Sequence, residues 1–95
     1  MIRVVARNVV QQDNHETYLA VAKYLVMETR KEEGCISYEL HQDLKDPNVF
    51  TMLEEWTSMD HLEAHFEAPH FKALVPKLGE LKEGETDLNI YSQVL

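Results

Sequence analysis

Leu53-Glu-Glu-Trp-Thr-Ser-Met-Asp-His-Leu-Glu-Ala-His-Phe-Glu-Ala-Pro-His-Phe71 holds the only tryptophan of the chain and three of its five histidines. The stretch closes a run, Val49 to Trp56, that reads as a strand, with Phe50, Met52, Glu54 and Trp56 sharing one face. From Ser58 the pattern becomes helical. Ser58 can cap the new helix, Asp60 favours its first turn, and it runs to about Ala68. Pro69 then suits the first position of a further short helix carrying Phe71, Leu74, Val75 and Leu78. A strand passing directly into a helix gathers acid, indole and imidazole groups at one junction.

Working outward, Ile2 to Val10 is rich in β-branched residues and reads as a first strand. Its alternation sets Asn8 with Val4, Ala6 and Val10, and Arg3 and Arg7 on the opposite face. An asparagine on an apolar face is either bonded to a neighbour or lines a cavity. Asp13 or Asn14 can cap a helix from His15 to about Glu32, with Tyr18, Ala22, Leu25 and Thr29 at helical spacing. Gly34 fits the helix end, where glycine takes a left-handed conformation cheaply. Cys35 to Asp43 alternates, with Ile36, Tyr38, Leu40 and Gln42 on one face, and Asp46-Pro47-Asn48 marks a turn. The short connection makes strands two and three an antiparallel hairpin. Gly79 to Glu85 reads as a polar loop and Asp87 to Leu95 as the last strand.

The order β-α-β-β-α-β predicts an α+β ferredoxin-like plait: one antiparallel sheet with helices on one face. Ninety-five residues form a single domain, 1–95. So short a chain buries only roughly 60% of its unfolded surface, so a second copy covering part of the sheet, a homodimer, is expected. Seventeen acidic against nine basic residues, a net charge of −8, leave no basic stripe for nucleic acid and disfavour anionic membranes. No apolar run approaches the ~20 residues of a membrane span. The lone Cys35 allows no internal disulfide, which fits a reduced cytoplasm.

Glu54 lies among apolar neighbours, where desolvation raises a carboxyl pKa toward the range useful for acid–base work. The plainer alternative is that it caps a helix or pairs with Arg3 or Arg7. His61 and His65 stand four apart on one helix face, a spacing zinc accepts, but the glutamate of a His-Glu-x-x-His motif is missing and no metal is expected. His65, beside Leu62 and Phe66, turns inward as a base or donor, whereas His61 stays outside. Trp56 is either plain core or the wall of an aromatic site.

Glu33-Gly34-Cys35-Ile36-Ser37-Tyr38-Glu39-Leu40, Asp46-Pro47 with Phe50, Glu54-Glu55-Trp56, His65 and Pro69-His70-Phe71 together resemble the antibiotic biosynthesis monooxygenase (ABM) family over nearly the whole chain. The resemblance implies a dimeric α+β barrel with a pocket between the sheet and helices of each protomer. It implies cofactor-free oxidation of a quinol or polyphenol by molecular oxygen, and no metal. Asn8 matches a pocket asparagine of oxygen-using members. The tryptophan near His65 and the axial histidine near Val75 expected of haem-degrading members are absent. A branch that isomerises a phosphorylated sugar matches at Glu54, His65 and His70 but has tyrosine in place of Trp56; Arg7, Lys72 or Lys77 would then hold the phosphate. A non-catalytic ligand-binding dimer is the third reading. The expected set is therefore His65, Glu54 and Asn8 as catalytic groups, with Trp56, His70, Phe66 and Met52 binding the aromatic substrate.

Overall fold

The first strand, β1 (Ile2–Val9), lies in the interior of a four-stranded antiparallel sheet, between the third and the fourth strands of the chain, with the second outside the third. A computed structural model describes all 95 residues. After β1 come a short 3-10 turn (Gln12–Asn14), α1 (His15–Thr29), β2 (Cys35–Gln42), β3 (Val49–Trp56), α2 (Met59–Glu67), α3 (Pro69–Leu81) and β4 (Glu83–Ser92). This is the ferredoxin-like plait. The predicted faces of β1 and β3 hold: Val4 pairs with Glu54, Ala6 with Met52 and Asn8 with Phe50. Val4, Phe50, Met52 and Trp56 are buried in one cluster with Tyr18, Ala22 and Leu25 of α1.

Local chemistry sets the boundaries. Ser58 Oγ accepts from the His61 amide and caps α2, and Pro69 opens α3. In the β2–β3 turn Asp43 accepts from the amides of Lys45 and Asp46, and Asp46 accepts from that of Asn48. Gly34 is at φ +83°, and a Cβ there would lie 2.6 Å from His61 Cβ and overlap its ring. Only glycine lets the β2 approach pass so close to α2.

Several boundaries differ from the sequence reading. α1 stops at Thr29, and neither Asp13 nor Asn14 caps it. Asn14 Nδ2 instead donates to the Leu81 carbonyl at the end of α3. A bulge between Cys35 and Ser37 places Cys35 opposite Trp56 and leaves Ile36 47% exposed, out of phase with Tyr38. α3 runs through Pro76 and Gly79 to Leu81, because its apolar stripe packs along α1 and overrides the local breakers. β4 begins at Glu83, inside the predicted loop, and ends at Ser92. Its residues are exposed throughout, so ladder bonds to β1 hold it rather than apolar alternation. No helix is long and apolar enough to cross a membrane.

Candidate functional site

A cavity of about 180 Å³ lies between the sheet and the helices. Its floor follows β1, β3 and β4: Val4 beside Glu54, Ala6 between Met52 and Leu88, then Asn8 near Thr86. Tyr18 and Leu25 of α1, and His65, Phe66, Phe71 and Leu78 of α2 and α3, close the other side. The lining is mostly apolar. Asn8, Glu54 and His65 therefore share one cavity, and Met52 and Phe66 line it too. Trp56 and His70 do not line it. A more open hollow at the termini includes Arg3, but that cation is already paired with Glu55 at 2.9 Å.

Glu54 is 6% exposed and takes no arginine partner. Its Oε1 accepts from the Trp56 indole N–H at 3.0 Å. Burial pushes its pKa up to about 7, against the opposing pull of the indole donor. Trp56 is itself fully buried, with its ring 4.8 Å from that of His65. It backs the site and holds Glu54 rather than facing the cavity.

His65 is 1% exposed and ringed by Tyr38, Trp56, Phe66 and Phe71. Burial lowers its pKa, and the hydrogen bond and charge of Glu32 oppose that shift. His65 Nδ1 lies 2.6 Å from Glu32 Oε2, and His70 Nε2 lies 2.7 Å from the same oxygen. A carboxylate only accepts, so each imidazole turns an N–H to it. That fixes the His65 tautomer and leaves Nε2 as the unprotonated nitrogen. Burial also pushes the Tyr38 phenol up, with Glu54 adding to the shift, so it stays protonated.

At the other end, Lys82 Nζ donates to Thr86 Oγ1 and Thr86 donates to Asn8 Oδ1, each at 2.6 Å. The amide oxygen of Asn8 is thereby engaged; its Nδ2 side meets the Tyr18 phenol, whose pKa burial raises and Asn8 lowers, and one Nδ2 hydrogen is left to donate. His61 lies outside the cavity, its Nδ1 held by Thr57 Oγ1 and Ser58 Oγ at 2.8 and 2.9 Å. The helical pair His61/His65 is thus divided between two environments.

The family model for antibiotic biosynthesis monooxygenases matches residues 1–77. The chain belongs to the antibiotic biosynthesis monooxygenase family. A relative from Bacillus subtilis, "Putative monooxygenase YcnE", is 34% identical over 83% of each chain. "Probable quinol monooxygenase YgiN" of Escherichia coli is 31% identical over 77% of this chain and 80% of its own. An uncharacterised Synechocystis protein is 34% identical over 93% of this chain, which spans only 60% of that relative's length. Among solved structures, a conserved Methanosarcina mazei protein superposes with a TM-score of 0.96 at 43% identity, over 98% of this chain and 92% of that one.

Two parts of this ABM site escaped the sequence reading. Glu32 sits past the end of α1, between Lys31 and Glu33, and had no motif of its own. Only the fold brings it to two histidines more than thirty residues away. Its oxygen and the two imidazole nitrogens lie within 4.8 Å of one another, a donor set that zinc or iron accepts in general. Their observed spacing is that of hydrogen bonds. Lys82 and Thr86 fell in or beside the segment read as a loop.

Proposed function

We propose that this ABM protein is a cofactor-independent monooxygenase that oxidises a small quinol or polyphenol with molecular oxygen. The observation that carries this reading is the convergence of Asn8, Glu54 and His65 on one apolar cavity. His65 Nε2, kept neutral by burial and oriented by Glu32, takes the phenolic proton. Glu54, titrating near neutrality, accepts or returns a proton beside it. The resulting electron-rich anion passes one electron to molecular oxygen in a space that excludes water. The phenoxyl radical and superoxide then join through a new C–O bond to a peroxide, which takes up a proton and loses water to leave the oxidised ring, with substrate supplying all the electrons. Asn8 Nδ2 donates to the substrate's second oxygen at the far end of the ring. Met52 and Phe66 hold the ring, while Trp56 and His70 support Glu54 and Glu32 from behind. Neither metal nor flavin has a step in this scheme.

The cavity is small beside the ~300–1,000 Å³ of drug-sized sites, which favours one or two rings over a larger polycycle. The mostly apolar lining favours an aromatic over a sugar phosphate: Arg7, Lys72 and Lys77 lie outside it, and Lys82 is the one lysine or arginine it contains. Leu88 and Ile90 on the cavity face of β4 and Tyr91 on its other face are all exposed, which suits coverage of the β4 edge by a second copy in a dimeric barrel.

Oxygen uptake with a panel of quinols and naphthols, without added cofactor, tests the reading. His65→Ala should cost about a hundredfold or more in rate, the usual worth of a general base. Asn8→Ala should cost about tenfold, the upper end of what one neutral hydrogen bond is worth. Unchanged uptake in both variants would sink the scheme. Glu32→Gln keeps the size of the side chain but removes the charge that holds the His65 pKa up. The acidic limb of its pH–rate profile should therefore move to lower pH.

A further inference from the structure

The two ends of the cavity differ in charge. Along β1, Val4 beside Glu54 and Asn8 beside Thr86 are separated by four residues, about 13 Å of strand. The Glu54–His65 end offers proton acceptors. The other end offers an ammonium, because Lys82 is the only lysine or arginine lining the cavity. Lys82 is half-buried, and its Nζ is bonded to a hydroxyl, not to a carboxylate. It takes part in none of the ion pairs, which use Arg3, Lys31, Lys72 and histidines.

The backbone is shaped to put it there. The β1–β4 register shifts between Arg7 and Val9, so that Arg7 pairs with Asp87 but Val9 with Glu83. The extra residues of β4 include Gly84, at φ +64°. Such an irregularity re-aims side chains, and here it accompanies Thr86 reaching Asn8 and Lys82 at once. An ammonium with only a neutral acceptor keeps donors free for an anion.

We propose that Lys82 is a specificity residue that binds an anionic substituent, such as a ring carboxylate, at the Asn8 end of the cavity. The substrate class is then a hydroxylated aromatic acid, with its reacting hydroxyl at His65 and its carboxylate at Lys82. This rests on the phenol-oxidising reading for the hydroxyl end but not for the carboxylate end. The overall field cannot supply the preference, because a chain of net charge −8 repels anions. Any selection for a carboxylate has to come from a local cation.

Calorimetric titration of a hydroxynaphthoate and of the matching naphthol without the carboxylate tests it. The intact protein should bind the naphthoate about tenfold tighter, as a charge-assisted contact predicts. Lys82→Gln should erase that preference and leave the naphthol within about twofold of its original affinity. Lys82→Arg should keep most of the preference, and Lys77→Gln, outside the cavity, should leave it intact. Equal binding by the intact protein, or a preference that survives in Lys82→Gln, overturns the proposal. Oxygen uptake, run in parallel, separates the two claims. A retained preference without oxidation sinks the oxidation reading alone, and oxidation without a preference sinks the role of Lys82 alone.

Discussion

The two ends of the cavity are built on opposite principles. The Glu54–His65 end is sealed: both side chains are almost fully buried, and each polar atom that sets their chemistry comes from a neighbour in the fold, the Trp56 indole or the Glu32 carboxylate. The Asn8–Lys82 end lies under the exposed edge strand β4, and its Lys82–Thr86–Asn8 chain is open to solvent. Burial shifts proton affinity, and the sealed end exploits that. Solvent access preserves charge, and the open end uses that to discriminate. The same division predicts that perturbing the sealed end changes stability, whereas perturbing the open end changes mainly how the substrate is held, in rate or in selectivity.

The largest break should come from Gly34→Ala. The new side chain meets a left-handed backbone and the His61 ring one turn before His65 on α2. Left-handed strain of about 1 kcal/mol and an overlap worth about 1–3 kcal/mol should add to roughly 2–4 kcal/mol. Urea denaturation measures the loss. If stability changes by less than about 0.5 kcal/mol, α2 is not fixed by that contact, and the sealed end is less rigid than its packing implies.

Much of the fold was legible because period decides it. Val49–Trp56 and Ile2–Val9 alternate, and the α1 face Tyr18, Ala22, Leu25 and Thr29 recurs at helical spacing; these are the residues that α1 buries. Placing Glu54, His65 and Asn8 in one cavity follows from strand faces plus the plait. What was not legible depends on tertiary placement. Glu32 acts through two distant histidines, which no local spacing records. The start of β4 was hidden because a ladder on an exposed edge needs no apolar pattern, and with it went Lys82 and Thr86. Asn14 looked like a cap for the helix it precedes and instead holds the end of another.

A smaller and pH-dependent effect is expected from Glu54→Gln. The folded-state pKa of Glu54 is about 7 against an ordinary value of 4.5, so the folded protein binds its proton more tightly than the unfolded chain. Stability from this group is present at low pH and is lost as pH rises through about 7. The glutamine keeps an acceptor for the Trp56 indole and cannot ionise. The variant should therefore exceed the parent in stability by on the order of 2 kcal/mol at pH 8, with the gap closing toward pH 5. His65, whose pKa burial lowers, contributes in the opposite sense, gaining stability as pH rises, and cancels in the difference between the two proteins. Parallel stability curves from pH 5 to 8 would mean that Glu54 ionises like a surface carboxyl and that the sealed end does not tune it.

The smallest effect should come from Thr86→Val, which keeps the shape of the side chain and removes the hydroxyl that links Lys82 to Asn8. Thr86 is exposed, so stability should move by less than about 0.5 kcal/mol. The Asn8 amide, however, loses the donor that fixes its oxygen, and can then turn either its oxygen or its nitrogen to the substrate. One neutral hydrogen bond of about 0.5 kcal/mol corresponds to a two- to threefold fall in oxygen uptake with an accepted quinol. The carboxylate preference should survive, since Lys82 keeps its charge and gains a free donor. A fall in stability as large as that of the sealed-end variants, with no change in uptake, would reverse the division between the two ends.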